Sequence, residues 1–159
     1  MIRPFRSIVL ALVLMAVTGP ISAETLTVQA WGDMLRAHSR LPLIVHVWGM
    51  TCGPCQLELP EWGKLVAERP RVPLILIEDD PVQLRPAEVN AHLQKAGLDK
   101  QQNWTLTPGD EQVRIRLDHA WAGELPLTLL IDGDGKAIRI VGPADFKFVR
   151  QWLDRYAPP

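Results

Sequence analysis

Apolar residues along the chain fall into two rhythms. Leu43 to Trp48, Pro73 to Ile77 and Leu127 to Asp132 are apolar at nearly every position, which predicts strands of a sheet covered on both faces. Between these runs apolar residues recur every three to four positions and predict helices. Trp31, Met34, Leu35 and His38 mark the first, Cys55, Leu59, Trp62 and Val66 the second, and Val89, Leu93 and Ala96 the third, while Phe146, Val149, Trp152, Leu153 and Tyr156 mark the last. The punctuation agrees. Pro70 stops the second helix at about Arg69, and Pro60 inside it is expected to kink it. The third helix spans Pro86 to Ala96 and stops at Gly97, and Asp145 stands as N-cap of the last. Thr25 to Ala30 alternates weakly, as a short edge strand would. Asp79-Asp80-Pro81 ends the strand before it, and Leu98 to Val113 reads as a polar loop with one short strand around Trp104-Thr105-Leu106. A short helix follows over Glu111 to Leu117. Gly133-Asp134-Gly135 then joins Leu127–Asp132 to Lys136–Val141 as a β-hairpin. Strands alternating with helices predict an α/β fold, a central mixed sheet flanked by helices.

The first 23 residues do not belong to that pattern. Arg3 and Arg6 precede an apolar core from Ile8 to Val17, the breakers Gly19-Pro20 and a small-residue end at Ile21-Ser22-Ala23. These features read as an export signal cut before Glu24, and they predict one domain over residues 24–159 in a periplasmic compartment. An uncleaved anchor is the alternative, although the apolar core is shorter than the ~18 residues needed to span a bilayer. The cut removes two of 17 basic residues against 18 acidic ones. The remaining chain is mildly negative and has no basic block, so nucleic acid is not an expected partner.

Only two cysteines occur, in Trp48-Gly49-Met50-Thr51-Cys52-Gly53-Pro54-Cys55, where a buried strand turns into a helix. Free N–H groups and the positive end of the helix dipole favour an anionic Cys52 sulfur, while Cys55 lies one turn further in. The first thiol is placed to attack and the second to resolve. Pro54 has no N–H to lose in the first turn, and Gly53 lets a partner backbone approach. A purely structural disulfide fits poorly, because a loop this short constrains almost nothing.

With the CGPC turn, Pro60 five residues after the second cysteine and Leu125-Pro126 before the hairpin, residues 40 to 156 resemble the thioredoxin superfamily. Within it they are most similar to the exported thioredoxin-like reductases that include the cytochrome c maturation thioredoxins. The resemblance implies dithiol–disulfide exchange without a cofactor, in a monomer acting on exported proteins that carry disulfides. A reductase in an oxidising compartment further implies a membrane electron donor. Pro126 is implied to be cis, leaving the Leu125 backbone to pair with an incoming peptide, with Trp48, Gly53 and Pro54 also on the substrate side. Glu58 matches a glutamate that this exported branch carries beside its active site, and Glu78 to Leu117 is similar to an insertion between the third and fourth strands.

Two positions depart from the pattern. His46 stands where thioredoxins carry a buried aspartate, and Thr51 where a tryptophan usually precedes the cysteine. His46 is a candidate to pass protons to Cys55, since an unperturbed imidazole titrates near ~6.5; the alternative is a buried neutral histidine bonded to backbone. Glu58 is a candidate for proton handling or a solvated helix residue. Trp48, although on the substrate side, is expected to pack under the active-site turn, Trp62 and Trp152 are expected in the core, Trp121 either in the core or along a peptide groove, and His38, His92 and His119 at the surface or capping. A rival reading comes from Gly49 to Cys55, which also spells GMTCxxC, the motif of small domains that carry Cu(I) between two thiolates. Those domains are shorter, with the motif near their start, and they leave Pro60 and Leu125-Pro126 unexplained. No zinc site is expected, because no second cysteine pair or close histidine pair completes four ligands.

Overall fold

In chain order the elements are β1 (Glu24–Thr25), α1 (Val28–Ala37), β2 (Leu43–Trp48), α2 (Gly53–Glu68), β3 (Leu74–Glu78), α3 (Pro86–Lys95), β4 (Gln102–Thr105), α4 (Glu111–Leu117), β5 (Leu127–Ile131), β6 (Ala137–Val141) and α5 (Phe146–Tyr156). The computed structural model describes residues 24–157 except 83, so the expected export signal, Met1 to Ala23, lies outside the described residues. Among the described residues no helix is long and apolar enough to cross a membrane.

The strands form one mixed sheet in the order β1-β4-β3-β2-β5-β6. β2 is its centre, buried at all six positions, parallel to β3 and antiparallel to β5. Its alternate side chains supply two cores. Val45 and Val47 face α1 and α4 with Ile75, Ile77 and Leu129, and Ile44 and Trp48 face α2, α3 and α5 with Leu59, Trp62 and Leu76. A strand buried on both faces has no polar side to show, which is why its sequence is a continuous apolar run. Between β3 and the hairpin, the segment expected as an insertion contributes a strand of its own, since β4 pairs in parallel with both β3 and β1.

The chain start differs from the alternation in Thr25 to Ala30. The strand is only two residues long, and Val28–Ala30 is already helix, because the Thr27 hydroxyl accepts the Ala30 N–H at 3.0 Å and caps α1. Leu35 and Tyr156 also fall outside the core. Each lies at the margin of its apolar stripe, and Tyr156, 40% exposed, covers Trp152 from the solvent side. One approach between helices is unusually close. A side-chain carbon added at Gly63 of α2 would stand 1.8 Å from the Ala96 carbonyl oxygen at the end of α3, so the two backbones touch where only glycine fits.

Candidate active site

The end of β2 delivers the chain to the top of the sheet, and the turn through Gly49 to Cys52 feeds directly into α2. Cys52 is the N-cap of that helix, and its sulfur accepts the Cys55 N–H at 3.2 Å. The two cysteines are joined as a disulfide with Cα atoms 5.2 Å apart. Cys52 is half-buried, whereas Cys55 is 0% exposed. Access to the pair from outside therefore runs through Cys52, flanked by the exposed Thr51, Gly53 and Pro54.

Leu125 and Pro126 complete this edge of the molecule. Their peptide bond is cis. Pro126 is buried, its carbonyl accepts the Gly142 N–H at 2.8 Å, and Leu125 is half-buried. The Leu125 side chain closes over the loop, since a carbon added at Gly49 would meet Leu125 Cδ1 at 3.2 Å. Trp48 does not share this exposure. It is 0% exposed, its ring stacks on His92 and its indole N–H points to Asn103 Oδ1 at 3.4 Å. Trp48 packs under the turn as expected, and its assignment to the substrate side is corrected, because strand position 48 points into the core. Trp121 is likewise core, with its indole N–H donated to the Glu124 carbonyl at 2.8 Å and the Arg114 guanidinium over its ring.

The two residues singled out for proton handling are both buried. His46 is fully buried, with Nδ1 3.0 Å from the Thr128 hydroxyl and its ring 5.0 Å from that of Trp62, while Nε2 has no partner. Burial pushes its pKa down to about 3, so His46 is a neutral imidazole at any pH above that. Its partner is a side chain rather than the backbone. Glu58 is also buried, one turn beyond Cys55 on α2, and its Oε1 accepts the Ala144 N–H at 2.9 Å. Burial pushes Glu58 up to about 7 against the opposing pull of the Ala144 N–H and the Trp62 indole. It is not a solvated helix residue.

That perturbation has a measurable consequence. The folded Glu58 carboxyl keeps its proton to about 7, against an ordinary value of 4.5. The folded state therefore binds an extra proton between those values, and the resulting stability is present below 4.5 and lost as pH rises through about 7. Urea midpoints measured at about pH 5 and about pH 8 should fall more in the parent than in Glu58→Gln. An equal fall in both proteins would put this carboxyl in contact with water.

Two residues of the site were not legible beforehand. Asp80 takes hydrogen bonds from Met50 and Thr51, directly before Cys52, and Glu78 in turn bonds Asp80. In the sequence they read only as the end of a strand. The signal lay in topology: β3 runs parallel to β2 with Glu78 opposite Trp48, so the two strands end side by side. Among the described residues no group of three or more His, Cys, Asp or Glu side chains is arranged to hold a metal ion.

A disulfide at the N-terminus of a helix that follows the central strand, in a mixed sheet with helices on both faces, defines a thioredoxin-like fold. No protein-family model matches the chain, and no curated protein sequence does. Solved structures do match in shape. A secreted Mycobacterium tuberculosis disulfide oxidoreductase homologous to E. coli DsbE is 15% identical over 76% of this chain and 85% of that one, with a TM-score of 0.60. StoA from Bacillus subtilis is 18% identical over 72% and 84%, at a TM-score of 0.57. A thioredoxin-family thiol:disulfide interchange protein from Chlorobium tepidum is 21% identical over 77% and 83%, at 0.58. At these identities the likeness establishes the fold.

Proposed function

We propose that this protein is an exported thiol–disulfide oxidoreductase that works as a disulfide reductase. The observation that carries the reading is the asymmetry of the pair: a reachable Cys52 sulfur at a helix N-terminus, backed by a Cys55 with no exposure. The structurally similar proteins are described as a secreted disulfide oxidoreductase and a thiol:disulfide interchange protein, which supports the same chemistry in the same kind of compartment.

In the reduced protein the Cys52 thiolate attacks one sulfur of a substrate disulfide. The substrate S–S bond breaks, a Cys52–substrate bond forms, and the released substrate sulfur takes up a proton. Cys55 then loses its proton and attacks the Cys52 sulfur, releasing the second substrate thiol and closing the Cys52–Cys55 bond. The substrate gains two electrons and two protons from the pair, and a membrane dithiol donor supplies two of each to reduce the Cys52–Cys55 bond again, becoming a disulfide itself. Leu125 and Pro126 border the place where substrate docks, beside Gly53 and Pro54. Leu57, 82% exposed one turn along α2 from Pro54, adds an apolar contact suited to a protein substrate. Gly53-Pro54 is the dipeptide that thioredoxins carry between their cysteines, which places the expected potential nearer the ~−270 mV of thioredoxin than the ~−120 mV of DsbA.

Cys55→Ser tests the mechanism. Expressed with export intact, this variant should accumulate covalent adducts on Cys52 that dithiothreitol releases, because the resolving thiol is gone. If Cys55→Ser stays unmodified while Cys52→Ser traps partners, the two roles are reversed. A potential above about −180 mV, in the region of protein disulfide isomerase, would replace the reductase with an oxidase or isomerase. Tight Cu(I) binding by the reduced pair, without turnover of disulfides, would favour the copper carrier.

A further inference from the structure

Beside the disulfide lies a second polar group that the exchange reaction as described does not use. Because β2 and β3 are parallel and end together, the chain leaving β3 passes against the loop that leaves β2. Asp79 turns away and pairs with Arg114 of α4. Asp80 turns toward the loop. It is 3% exposed and accepts three hydrogen bonds, from the Met50 N–H at 2.6 Å, the Thr51 N–H at 3.0 Å and the Thr51 hydroxyl at 2.6 Å. Glu78, 2% exposed, accepts the Asp80 N–H at 3.1 Å. All three donors to Asp80 lie one or two residues before Cys52.

The fit of this carboxylate explains two features of the sequence. A carbon added at Gly49 would stand 3.3 Å from Asp80 Oδ1 and 3.2 Å from Leu125 Cδ1, so glycine lets the carboxylate and the substrate-side loop close on the turn together. Thr51 supplies a hydroxyl donor at the position where the resemblance leads one to expect tryptophan. Burial alone would raise Asp80, but the Thr51 hydroxyl and the Met50 and Thr51 N–H groups outweigh it and hold Asp80 below the ordinary carboxylate range. It is therefore an anion at neutral pH. Burial first, and the neighbouring Asp80 second, push Glu78 up to about 7.

We propose that Asp80, steadied by Glu78, is a positioning residue for the cysteine pair: its carboxylate fixes the loop at Met50 and Thr51 and sets a negative charge next to Cys52 that disfavours the thiolate and makes the pair more reducing. The inference rests on the dithiol–disulfide reading and adds the group that sets its direction. The helix N-terminus pulls the Cys52 sulfur toward the anion, and stabilising the reduced form in this way is what makes a strong oxidant. A like charge held against the same turn opposes that pull.

Among the described residues no lysine or arginine forms an ion pair with Glu78 or Asp80. Thr105 of β4 bonds Glu78, and Arg114 of α4 is taken up by Asp79. Glu24 of β1 is exposed at the sheet edge. On α3, His92 stacks on Trp48, and burial together with Lys95 lowers its pKa. Glu58 of α2 and His46 of β2 are buried and bond Ala144 and Thr128 rather than this loop. A cleft of about 80 Å³, lined by Glu78, Asp80, Thr25, Thr105 and Pro108, gives the carboxyl pair a route to water for its proton.

The test reads two quantities on the full exported chain: the pH midpoint of Cys52 alkylation by iodoacetamide, and the fraction reduced in glutathione buffers. Asp80→Asn should lower the alkylation midpoint by about one unit, which is about tenfold more thiolate below both midpoints, and shift the glutathione equilibrium about tenfold toward the reduced pair. Thr51→Val, which keeps the carboxylate and both N–H bonds, should stay within about threefold of the parent. Glu78→Gln should shift the equilibrium in the same direction at about pH 8, where Glu78 is charged, and leave it unmoved at about pH 6, where Glu78 is neutral. A role in holding the loop alone would move neither quantity in this pH-dependent way. Asp99→Asn, at an exposed site, is the control. Should Asp80→Asn not fold, Glu78→Gln decides: a shift at the higher pH alone supports the inference, and no shift, or equal shifts at both, overturns it. Parent protein that exchanges with glutathione while Asp80→Asn and Glu78→Gln both match it overturns this inference only. Parent protein that does not exchange at all overturns the redox reading beneath it.

Discussion

Cys52→Ser is expected to reduce disulfide exchange on the order of 10³-fold or more and to trap no partner at all. The reason is geometric. Cys55 has no exposed surface, and its backbone N–H already points back at the position-52 side chain, so the remaining thiol has no line of approach to a disulfide in another protein. A serine hydroxyl at the same helix end can accept the Cys55 N–H and keep the cap, which leaves the fold in place and isolates the loss to chemistry. Turnover of insulin-type disulfides in the presence of dithiothreitol measures it, with near-unchanged circular dichroism as the companion reading. Residual exchange within about tenfold of the parent would mean that Cys55 reaches substrate, and that the loop opens far more than its hydrogen bonds to Asp80 suggest.

Gly63→Ala is expected to cost stability on the order of 2 kcal/mol or more, although the same change in an exposed helix would gain about 0.5–1 kcal/mol. The added carbon would lie 1.8 Å from the Ala96 carbonyl oxygen and 3.0 Å from its carbon, both backbone atoms. They cannot swing aside. The Ala96 N–H is bonded to the His92 and Leu93 carbonyls, and the Gly97 and Leu98 N–H groups are bonded to Gln94 and Leu93, so this helix end is tied on each side. Accommodation requires α2 and α3 to part, opening the core around Leu59, Trp62 and Leu93. Urea denaturation gives the number. Gly53→Ala provides the contrast, because nothing lies within 4 Å of a carbon added there and its effect on stability should be small. An unchanged midpoint for Gly63→Ala would show that the two helices stand further apart.

The contrast between those two glycines also shows what a sequence can and cannot carry. Strong periodicity gave most elements to within a residue or two. Asp145 caps α5, Gly97 follows α3 with φ near +75°, and Glu111–Leu117 is a helix as the spacing predicts. The cysteine turn was legible because strand-to-helix position alone dictates which sulfur is reachable. What failed depended on contacts between segments far apart in the chain. Trp48 reads both as a residue packed under the turn and as a substrate-side aromatic, and the pairing of β2 with β3 and the stacking of His92 leave only the first. Glu78-Asp79-Asp80 looks like a polar turn after a strand, yet its three carboxylates part company: Asp79 pairs with Arg114, Asp80 bonds the loop before Cys52, and Glu78 accepts the Asp80 N–H. At the chain start, a single threonine cap outweighed a weak alternation.

The two margins of the sheet differ from its centre in what they offer a second molecule. β1 is two residues long and pairs only with Trp104 and Thr105 of β4, so this margin is a short strand. At the opposite margin β6 alternates exposed and half-buried residues and carries Arg139 near its middle, which pairs with Asp118. Short, charged margins are poor templates for adding strands from a neighbouring chain. The continuous apolar strands that build the two cores would, if presented edge-on, be templates for aggregation; here β2, β3 and β5 are enclosed by neighbours on both sides, so a second molecule meets only the short or charged margins.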